Sequence, residues 1–316
     1  MKKPFISVVI TAYNRKEFLL DALKSAVNQT LKRDKYEIIC IKNFKNVKID
    51  KYLKYNNIIN IAGKEKPIGE WLYLTTKKAR GEIIVFLDDD DLFSKDKLET
   101  IYFYFAKYAI GFYHNSSLKG KKLENKLSIL SKNNFKIIKY PYRCSLRYFE
   151  IATFNMSSIA VKKEILLKHI NELKKVITSP DSFILLISLI QKTNVFIDYN
   201  KYTFYRLHNN NVSYSKSLEK YVKFNKRMEL PALIYQLELA NIYRSKAGKT
   251  FLGYFIFMIK SALTIQGKNK KEVISTFRYL PLIVNGKLIK RVILLILFLF
   301  RSEYPYKRLT RNFKQA

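Results

Sequence analysis

An apolar run leads directly into four consecutive aspartates, and this junction constrains the fold more than any other feature of the sequence. Residues 83–87 are apolar, and the carboxylates of residues 88–91 follow without a spacer. Adjacent carboxylates repel one another unless water, a metal ion or a cationic ligand neutralises them. A buried strand before them predicts that they lie at its carboxyl end, where open α/β sheets bind ligands. A solvated acidic turn is the alternative interpretation of this segment alone.

Composition narrows the class of protein further. With 316 residues and 48% hydrophobic content, the chain can bury a substantial core. Lys and Arg number 59 against 25 Asp and Glu, a formal charge of +34, which favours an anionic partner: nucleic acid, an acidic membrane surface or a phosphorylated substrate. Two cysteines, Cys40 and Cys144, do not make a disulfide framework. We therefore expect a cytoplasmic protein, and the N-terminus does not resemble a signal peptide.

Strand and helix signals alternate in the first third of the chain. Apolar runs predict strands over residues 6–11, 36–41, 58–61 and 82–87. Asn14 with Glu17 three residues later resembles a capping box and predicts a helix start, and residues 69–79 have helical spacing. Alternation of this kind predicts a Rossmann-like α/β fold with a mostly parallel central sheet and flanking helices.

The rest of the chain is less regular. Residues 119–139 predict an exposed loop or a short hairpin, and order resumes with a strand over 156–161, a helix over 181–191 and strands over 195–199 and 201–207. From Leu218 onward the pattern is helical only. Its longest apolar stretch, residues 292–300, is too short to span a bilayer. An interfacial membrane helix and a core or oligomer contact both fit this stretch.

Taken in order, these segments resemble the family-2 inverting glycosyltransferases of the GT-A fold over residues 5–213. The opening strand with Thr11-Ala12-Tyr13-Asn14-Arg15 resembles the family's first strand and "TYNR" turn, and residues 25–30 resemble the end of its first helix. Residues 86–91 resemble the metal-binding "DxD" signature. Asp181 stands before an apolar helix, where the family has its catalytic base, and Tyr205-Arg206-Leu207-His208 with Ser213 resembles the closing "YRxHxxxxS" element.

The resemblance implies a division of roles among named residues. Mn²⁺ or Mg²⁺ would be bound by Asp90, Asp88 and His208. The nucleotide sugar would contact Thr11, Ala12, Tyr13, Arg15, Asn43, Asp88, Asp89 and Arg206. Asp181 would accept the proton of the acceptor hydroxyl. A Pro-Asp pair is also a good helix start, so Asp181 could instead cap the helix that follows it. For His208 the alternative is a structural role, which is common for a lone histidine.

This chain departs from the family pattern at three places. Pro180 replaces the first carboxylate of the family's acidic pair. Asn43 stands where the acidic residue that contacts the nucleobase is expected, and an amide can both donate and accept. Leu72 and Tyr73 replace an Arg-Asn pair. The donor base is therefore left open.

We expect a metal-dependent glycosyltransferase whose acceptor is a lipid-linked glycan or a cell-envelope polysaccharide. Residues 1–110 are predicted to bind the nucleotide sugar and 111–213 to provide the acceptor-binding and catalytic half. Residues 214–316 are predicted to form a basic amphipathic helical region that associates with the inner face of the membrane.

The alternative is a non-catalytic GT-A-like protein that binds an anionic partner. Nucleic acid is not favoured because no nucleic-acid motif is present, and a nucleotidyltransferase lacks support because no Gly-rich phosphate loop follows the first strand.

Overall fold

The structure is a computed structural model that describes residues 3–64, 67–122, 134–142, 146–208, 218–267, 269–280 and 286–300. The chain divides into two compact units. The first comprises Met1–Arg143 and Ile151–His208, and the second comprises Cys144–Glu150 and Asn209–Ala316. The first unit contains a β-sheet with flanking helices, and the second is helical throughout its described residues.

The described strands of the first unit form one sheet. They are β1 (Ile6–Ala12), β2 (Tyr36–Lys42), β3 (Ile59–Ala62), β4 (Ile83–Asp88), β5 (Leu92–Phe93), β6 (Phe112–Gly120), β7 (Phe135–Ile138), β8 (Ile159–Lys162) and β9 (Val195–Arg206). Their order is β3-β2-β1-β4-β8-β6-β9-β5, and β7 pairs with β9. The first four strands along this order pair in parallel, as the alternating pattern predicted. Beyond β4 the sheet is mixed, because β8 runs antiparallel to both β4 and β6.

Helices flank this sheet: α1 (Leu19–Val27), α2 (Val47–Tyr55), α3 (Ile68–Lys78), α4 (Lys97–Lys107), α6 (Lys163–Lys168), α7 (Ile170–Lys174) and α8 (Pro180–Ile190). A further helix, α5 (Leu146–Ala152), begins in the second unit. Apolar residues of α1, α2 and α4 belong to the same buried core as the strands. The central strands are apolar and fully buried, as in Val8, Ile38 and Val85, which is typical of parallel strands covered on both faces.

The loop after β1 differs from the sequence prediction. The predicted capping box at Asn14 and Glu17 is wrong: α1 begins at Leu19, and its N-cap residue Phe18 makes no side-chain cap hydrogen bond. Asn14 instead adopts a left-handed conformation with φ of 54°, which asparagine tolerates better than most residues. Residues 13–18 therefore form a loop between the carboxyl end of β1 and the start of α1.

Two further strand predictions need correction. Residues Met156–Ser158 form a 3-10 turn, and only the residues after them form a strand, β8. The two strands predicted over 195–199 and 201–207 are one continuous strand, β9, which has irregular pairing with β6 near its centre. Of the loop or hairpin predicted over 119–139, residues 123–133 lie outside the described residues, and β7 follows them.

The second unit consists of packed helices. They are α9 (Leu218–Phe224), the π-helical segment Asn225–Glu229, α10 (Leu230–Ile242), α11 (Lys246–Gln266), α12 (Glu272–Phe277) and α13 (Gly286–Phe300). The long helix α11 contacts α10, α12 and α13. Tyr254 of α11 donates a 2.6 Å hydrogen bond to Glu150 of α5. Among the described helices, none combines the length and the apolar character needed to cross a bilayer.

Candidate active site

The neighbouring central strands β1 and β4 end side by side, and a small pocket opens beside their carboxyl ends, which are called the edge of the sheet below. Thr11 of β1 pairs in register with Asp88 of β4. The pocket is lined by Val9, Thr11, Ile68, Leu72, Phe86, Leu87, Asp88, Met156 and Pro180. Two predicted nucleotide-sugar ligands, Thr11 and Asp88, therefore share this pocket with the first turn of α8.

The four consecutive aspartates are largely withdrawn from solvent. Asp89, Asp90 and Asp91 are buried, and Asp88 is half-buried. Burial is the main cause that raises the pKa of Asp89 and the pKa of Asp91 to about 7. Burial, followed by repulsion from the other three aspartates, raises the pKa of Asp88 well above its usual range. A cation at this edge would stabilise the ionised carboxylates.

Arg15 is the described side chain that pairs with two of these carboxylates. Its Nη2 donates to Asp89 Oδ1 at 2.5 Å and its Nε donates to Asp89 Oδ2 at 3.3 Å, while its Nη1 donates to Asp90 Oδ2 at 2.6 Å. The guanidinium thus contacts Asp89 through a two-point fork and Asp90 through one donor. Arg15 remains 28% exposed at its side chain, so it faces the open edge of the site.

His208, which follows β9 in the chain, also contacts Asp90. Its Nε2 lies 2.9 Å from Asp90 Oδ2, and its ring lies 5.0 Å from the ring of Phe18. The sequence prediction that Asp90 and His208 lie together therefore has a geometric basis. Within the described ranges, no group of three or more His, Cys, Asp or Glu side chains is placed to bind a metal ion.

The donor set fits a divalent ion that binds together with a diphosphate. A carboxylate oxygen and an imidazole nitrogen are ligands that Mn²⁺ accepts, and Mg²⁺ commonly takes one or two carboxylates with substrate phosphates and waters. Asp90 and His208 would hold the ion from the protein side. Asp88 lies at the adjacent end of β4, where the metal or the nucleotide ribose would contact it.

Arg206, which was predicted to contact the nucleotide sugar, makes contacts with three parts of the protein. Its Nε donates to the backbone oxygen of Asp90 at 3.0 Å, and its Nη2 donates to Asp21 of α1 at 3.3 Å. The guanidinium lies 4.5 Å from the ring centroid of Phe18. In this geometry Arg206 joins β9, α1 and the aspartate segment.

Asp91 is buried and binds Asn155 and the backbone of Arg206. Its Oδ2 accepts from Asn155 Nδ2 at 2.9 Å, and its Oδ1 accepts from the backbone N–H of Arg206 at 3.1 Å. Ser157 accepts from the backbone N–H of Asp88 at 2.9 Å. The buried Lys97 donates to the backbone oxygen of Ser157. These hydrogen bonds hold the backbone and the Asp91 side chain of the aspartate segment in place.

The ends of β1 and β2 carry three further residues that were predicted to contact the nucleotide sugar: Ala12, Tyr13 and Asn43. Asn43 Oδ1 accepts from the backbone N–H of Asn14, and Asn43 Nδ2 donates to Asn14 Oδ1, both at 2.8 Å. Tyr13 is 48% exposed and lies 5.7 Å from the ring of Trp71. Ala12, at the end of β1, is buried and pairs with Lys42. Of these residues, Tyr13 presents an open aromatic face.

Asp181 lies in the first turn of α8, next to the pocket-lining Pro180. Ser179 precedes the helix with φ of 53°, and Pro180 fixes the backbone at the first helical turn. Asp181 Oδ1 accepts the backbone N–H of Ser182 at 2.8 Å. The N-cap position of α8 belongs to Ser179, so Asp181 contributes to the helix start through the interaction of its charge with the helix dipole. Its preceding residue, Pro180, lines the pocket that contains Asp88, and the catalytic role of Asp181 stays a prediction.

Comparison with known proteins identifies the family of the chain. Residues 7–169 match the family described as Glycosyl transferase family 2. Because this segment is more than half of the chain, the chain belongs to glycosyl transferase family 2. The resemblance inferred from the sequence is thereby confirmed.

Two curated relatives share part of the chain. Poly(ribitol-phosphate) beta-glucosyltransferase of Bacillus spizizenii is 33% identical over 104 residues, which cover 29% of this chain and 16% of the relative. Poly(ribitol-phosphate) beta-N-acetylglucosaminyltransferase TarP of Staphylococcus aureus is 31% identical over 110 residues, which cover 33% of each chain. The matched segments thus span a third or less of these relatives.

Solved structures resemble the chain over nearly its whole length. S. aureus TarS 1-349 in complex with UDP has a TM-score of 0.60 at 12% identity and covers 98% of this chain and 91% of its own. Mannosyltransferase PcManGT from Pyrobaculum calidifontis, in complex with GDP-Man and Mn²⁺, has a TM-score of 0.52 at 12% identity, with 96% of this chain and 87% of its own covered. At these identities the likeness establishes the fold alone. The predicted class, a GT-A α/β fold with a C-terminal helical region, is confirmed.

Proposed function

We propose that the protein is an inverting glycosyltransferase that moves a sugar from a nucleotide donor to an acceptor hydroxyl. The observation that carries the proposal is the meeting of Asp88, the Asp90–His208 pair and the first turn of α8 at one edge of the sheet. Residues 1–110 would bind the donor and residues 111–213 would complete the acceptor side. Family membership supports this function over a purely anion-binding protein.

The site residues would divide the work of the reaction. Asp181 would take the proton from the acceptor hydroxyl as that oxygen attacks the anomeric carbon opposite the leaving nucleotide. Asp90 and His208 would hold Mn²⁺ or Mg²⁺, which when bound supplies positive charge beside the leaving diphosphate. Asp88 and Thr11 would orient the ribose, and the open face of Tyr13 would stack on the base.

We propose a uridine diphosphate sugar as the donor and a phosphate-rich envelope polymer or lipid-linked glycan as the acceptor. TarS binds UDP and UDP-GlcNAc in its solved structures, and the relatives named above act on poly(ribitol-phosphate). The formal charge of +34 on this chain suits a polyanionic acceptor. Charge of this size raises the association rate of such a polymer and makes that rate sensitive to salt.

A nucleotide panel tests the donor proposal. We expect UDP or a UDP-sugar, together with Mn²⁺, to raise the melting temperature of the purified protein, whereas GDP- and CDP-linked donors do not, because binding to the folded state alone stabilises it. If GDP alone raised the melting temperature, the donor base would be guanine and the proposed glycosyltransferase class would stand. No gain with any nucleotide, with or without Mn²⁺, would contradict the proposed function.

We further propose that the second unit associates with the anionic inner face of the cell membrane. Five apolar side chains of α13 are exposed: Ile289 (49%), Ile293 (49%), Ile296 (44%), Leu299 (41%) and Phe300 (80%). In the sequence, residues 286–316 contain eight Lys and Arg against one Glu. An apolar stripe flanked by cations suits an interface with anionic headgroups.

Vesicle flotation measures this association. We expect the protein to float with phosphatidylcholine vesicles that contain phosphatidylglycerol, to sediment without the anionic lipid, and to lose flotation at high salt. The double variant Ile293→Glu with Ile296→Glu should abolish flotation, because it places charge in the apolar stripe. Val47→Glu changes a residue that is also exposed, on α2 of the first unit, and should leave flotation unchanged. A concentration-dependent dimer in place of vesicle binding would contradict the proposal.

A further inference from the structure

Arg15 and the expected metal ion require the same carboxylate. Arg15 Nη1 and His208 Nε2 both contact Oδ2 of Asp90, at 2.6 and 2.9 Å. Among the described residues, the side-chain partners of Asp90 all lie on this one oxygen. A divalent ion bound there would lie beside a guanidinium, and two cations at such short separation repel each other strongly.

The fork of Arg15 offers a way to resolve this conflict. Two of its nitrogens contact Asp89, and only Nη1 contacts Asp90. The guanidinium can therefore release Asp90 while it stays anchored on Asp89, which is buried. A released Nη1 needs a new anionic acceptor, and the phosphate oxygens of a nucleoside diphosphate are acceptors of the required kind.

We infer that Arg15 is an internal counter-cation that couples metal binding to nucleotide binding. Without a nucleotide it neutralises Asp89 and Asp90 and opposes entry of the divalent ion. With a diphosphate present, its Nη1 transfers from Asp90 to a phosphate oxygen, and Asp90 becomes available to the metal. Because coupling between two ligands is reciprocal, the metal should raise nucleotide affinity by the same factor. The coupling part of this inference rests on the proposed function; the counter-cation part rests on the ion pairs alone.

The test is a titration of the full-length protein with Mn²⁺, in which free Mn²⁺ is followed by electron paramagnetic resonance, with and without UDP. For Arg15→Gln we expect nucleotide-free Mn²⁺ affinity to rise about tenfold and the UDP-dependent gain in Mn²⁺ affinity to fall about tenfold, since one charge is removed from the site. Arg15→Lys keeps the charge without the fork, so its nucleotide-free Mn²⁺ affinity should stay near wild type while the UDP-dependent gain falls. Arg80→Gln, which removes an arginine paired with Glu37 elsewhere, should change neither quantity.

The outcomes separate this inference from the proposed function. If UDP binds but Arg15→Gln leaves the nucleotide-free Mn²⁺ affinity unchanged, the counter-cation role is overturned and the proposed function stands. If Arg15→Gln melts at a much lower temperature and loses Mn²⁺ affinity in both conditions, Arg15 is a structural ion-pair residue and the inference is overturned. If no nucleotide binds the wild type, the donor proposal and the coupling fail together. The nucleotide-free comparison then still decides the counter-cation role.

Discussion

Replacing Asp181 with asparagine should abolish sugar transfer while nucleotide binding survives. We expect kcat to fall by about 10³-fold or more, because the amide cannot accept the acceptor proton and general-base catalysis contributes about 10²- to 10⁴-fold. The affinity for UDP with Mn²⁺ should change by less than about threefold, since α8 meets the pocket from the side of Pro180. Transfer is measured as UDP release with an acceptor polymer, and binding by calorimetry.

A matched control separates catalysis from stabilisation of the first helical turn by the charge of Asp181. Asparagine retains the ability of residue 181 to accept the backbone N–H of Ser182, so Asp181→Asn removes mainly the charge at the helix start. Such a charge is worth about 0.3 to 1 kcal/mol of stability. Glu99→Gln removes a first-turn charge from α4, a helix of the same 11-residue length, and should leave kcat unchanged. A kcat loss no larger for Asp181→Asn than for Glu99→Gln would mean that the charge of Asp181 only stabilises the first turn of α8.

The strands were predictable because their sequences are continuous apolar runs with clear limits. The predicted limits of β1, β2 and β4 fall within one residue of the observed ones. Parallel strands covered on both faces show this pattern strongly. The mixed pairing beyond β4 had no such signal, since the orientation of β8 depends on contacts between segments that are distant in sequence.

Among the helices of the first unit that were not predicted, α2 and α4 each have a physical reason. In α2 only Ile49 and Leu53 are buried, so the segment presents a polar face with few apolar positions. In α4 the aromatic residues 102–105 obscure the helical spacing, because aromatic residues also favour strands. The capping box failed because Asn14 binds Asn43, a partner 29 residues away. No local pattern encodes that contact.

The sequence indicated which residue types belong to the candidate site, but it did not indicate which side chains contact one another there. The types of Asp90 and His208 indicated a metal site, and the structure places them 2.9 Å apart across 118 residues. Arg15 was assigned to the nucleotide, whereas the structure pairs it with Asp89 and Asp90. Asn155, Ser157 and Lys97 carried no recognisable signal. Each is ordinary in its own segment and gains its role from the fold around Asp91.

Replacing Asp90 with asparagine should remove the metal dependence of donor binding. In the wild type we expect Mn²⁺ to increase the thermal stabilisation by UDP; in Asp90→Asn the stabilisation should be the same with and without Mn²⁺. Transfer should fall by about 10³-fold, because a metal ion beside a leaving diphosphate contributes several kcal/mol. Asp34→Asn, which changes an exposed carboxylate of the first unit, should behave as wild type in both measurements.

The ligand-free stability of the Asp90→Asn variant distinguishes a metal site from a structural ion pair. Asp90 contributes to the repulsion that raises the pKa values of Asp88, Asp89 and Asp91. Removing its charge relieves that repulsion, so the melting temperature without ligand should stay equal or rise, as is common when a binding site is neutralised. A marked fall in melting temperature, with the Mn²⁺ effect on UDP binding intact, would mean that Asp90 serves the Arg15 and His208 contacts and not the metal.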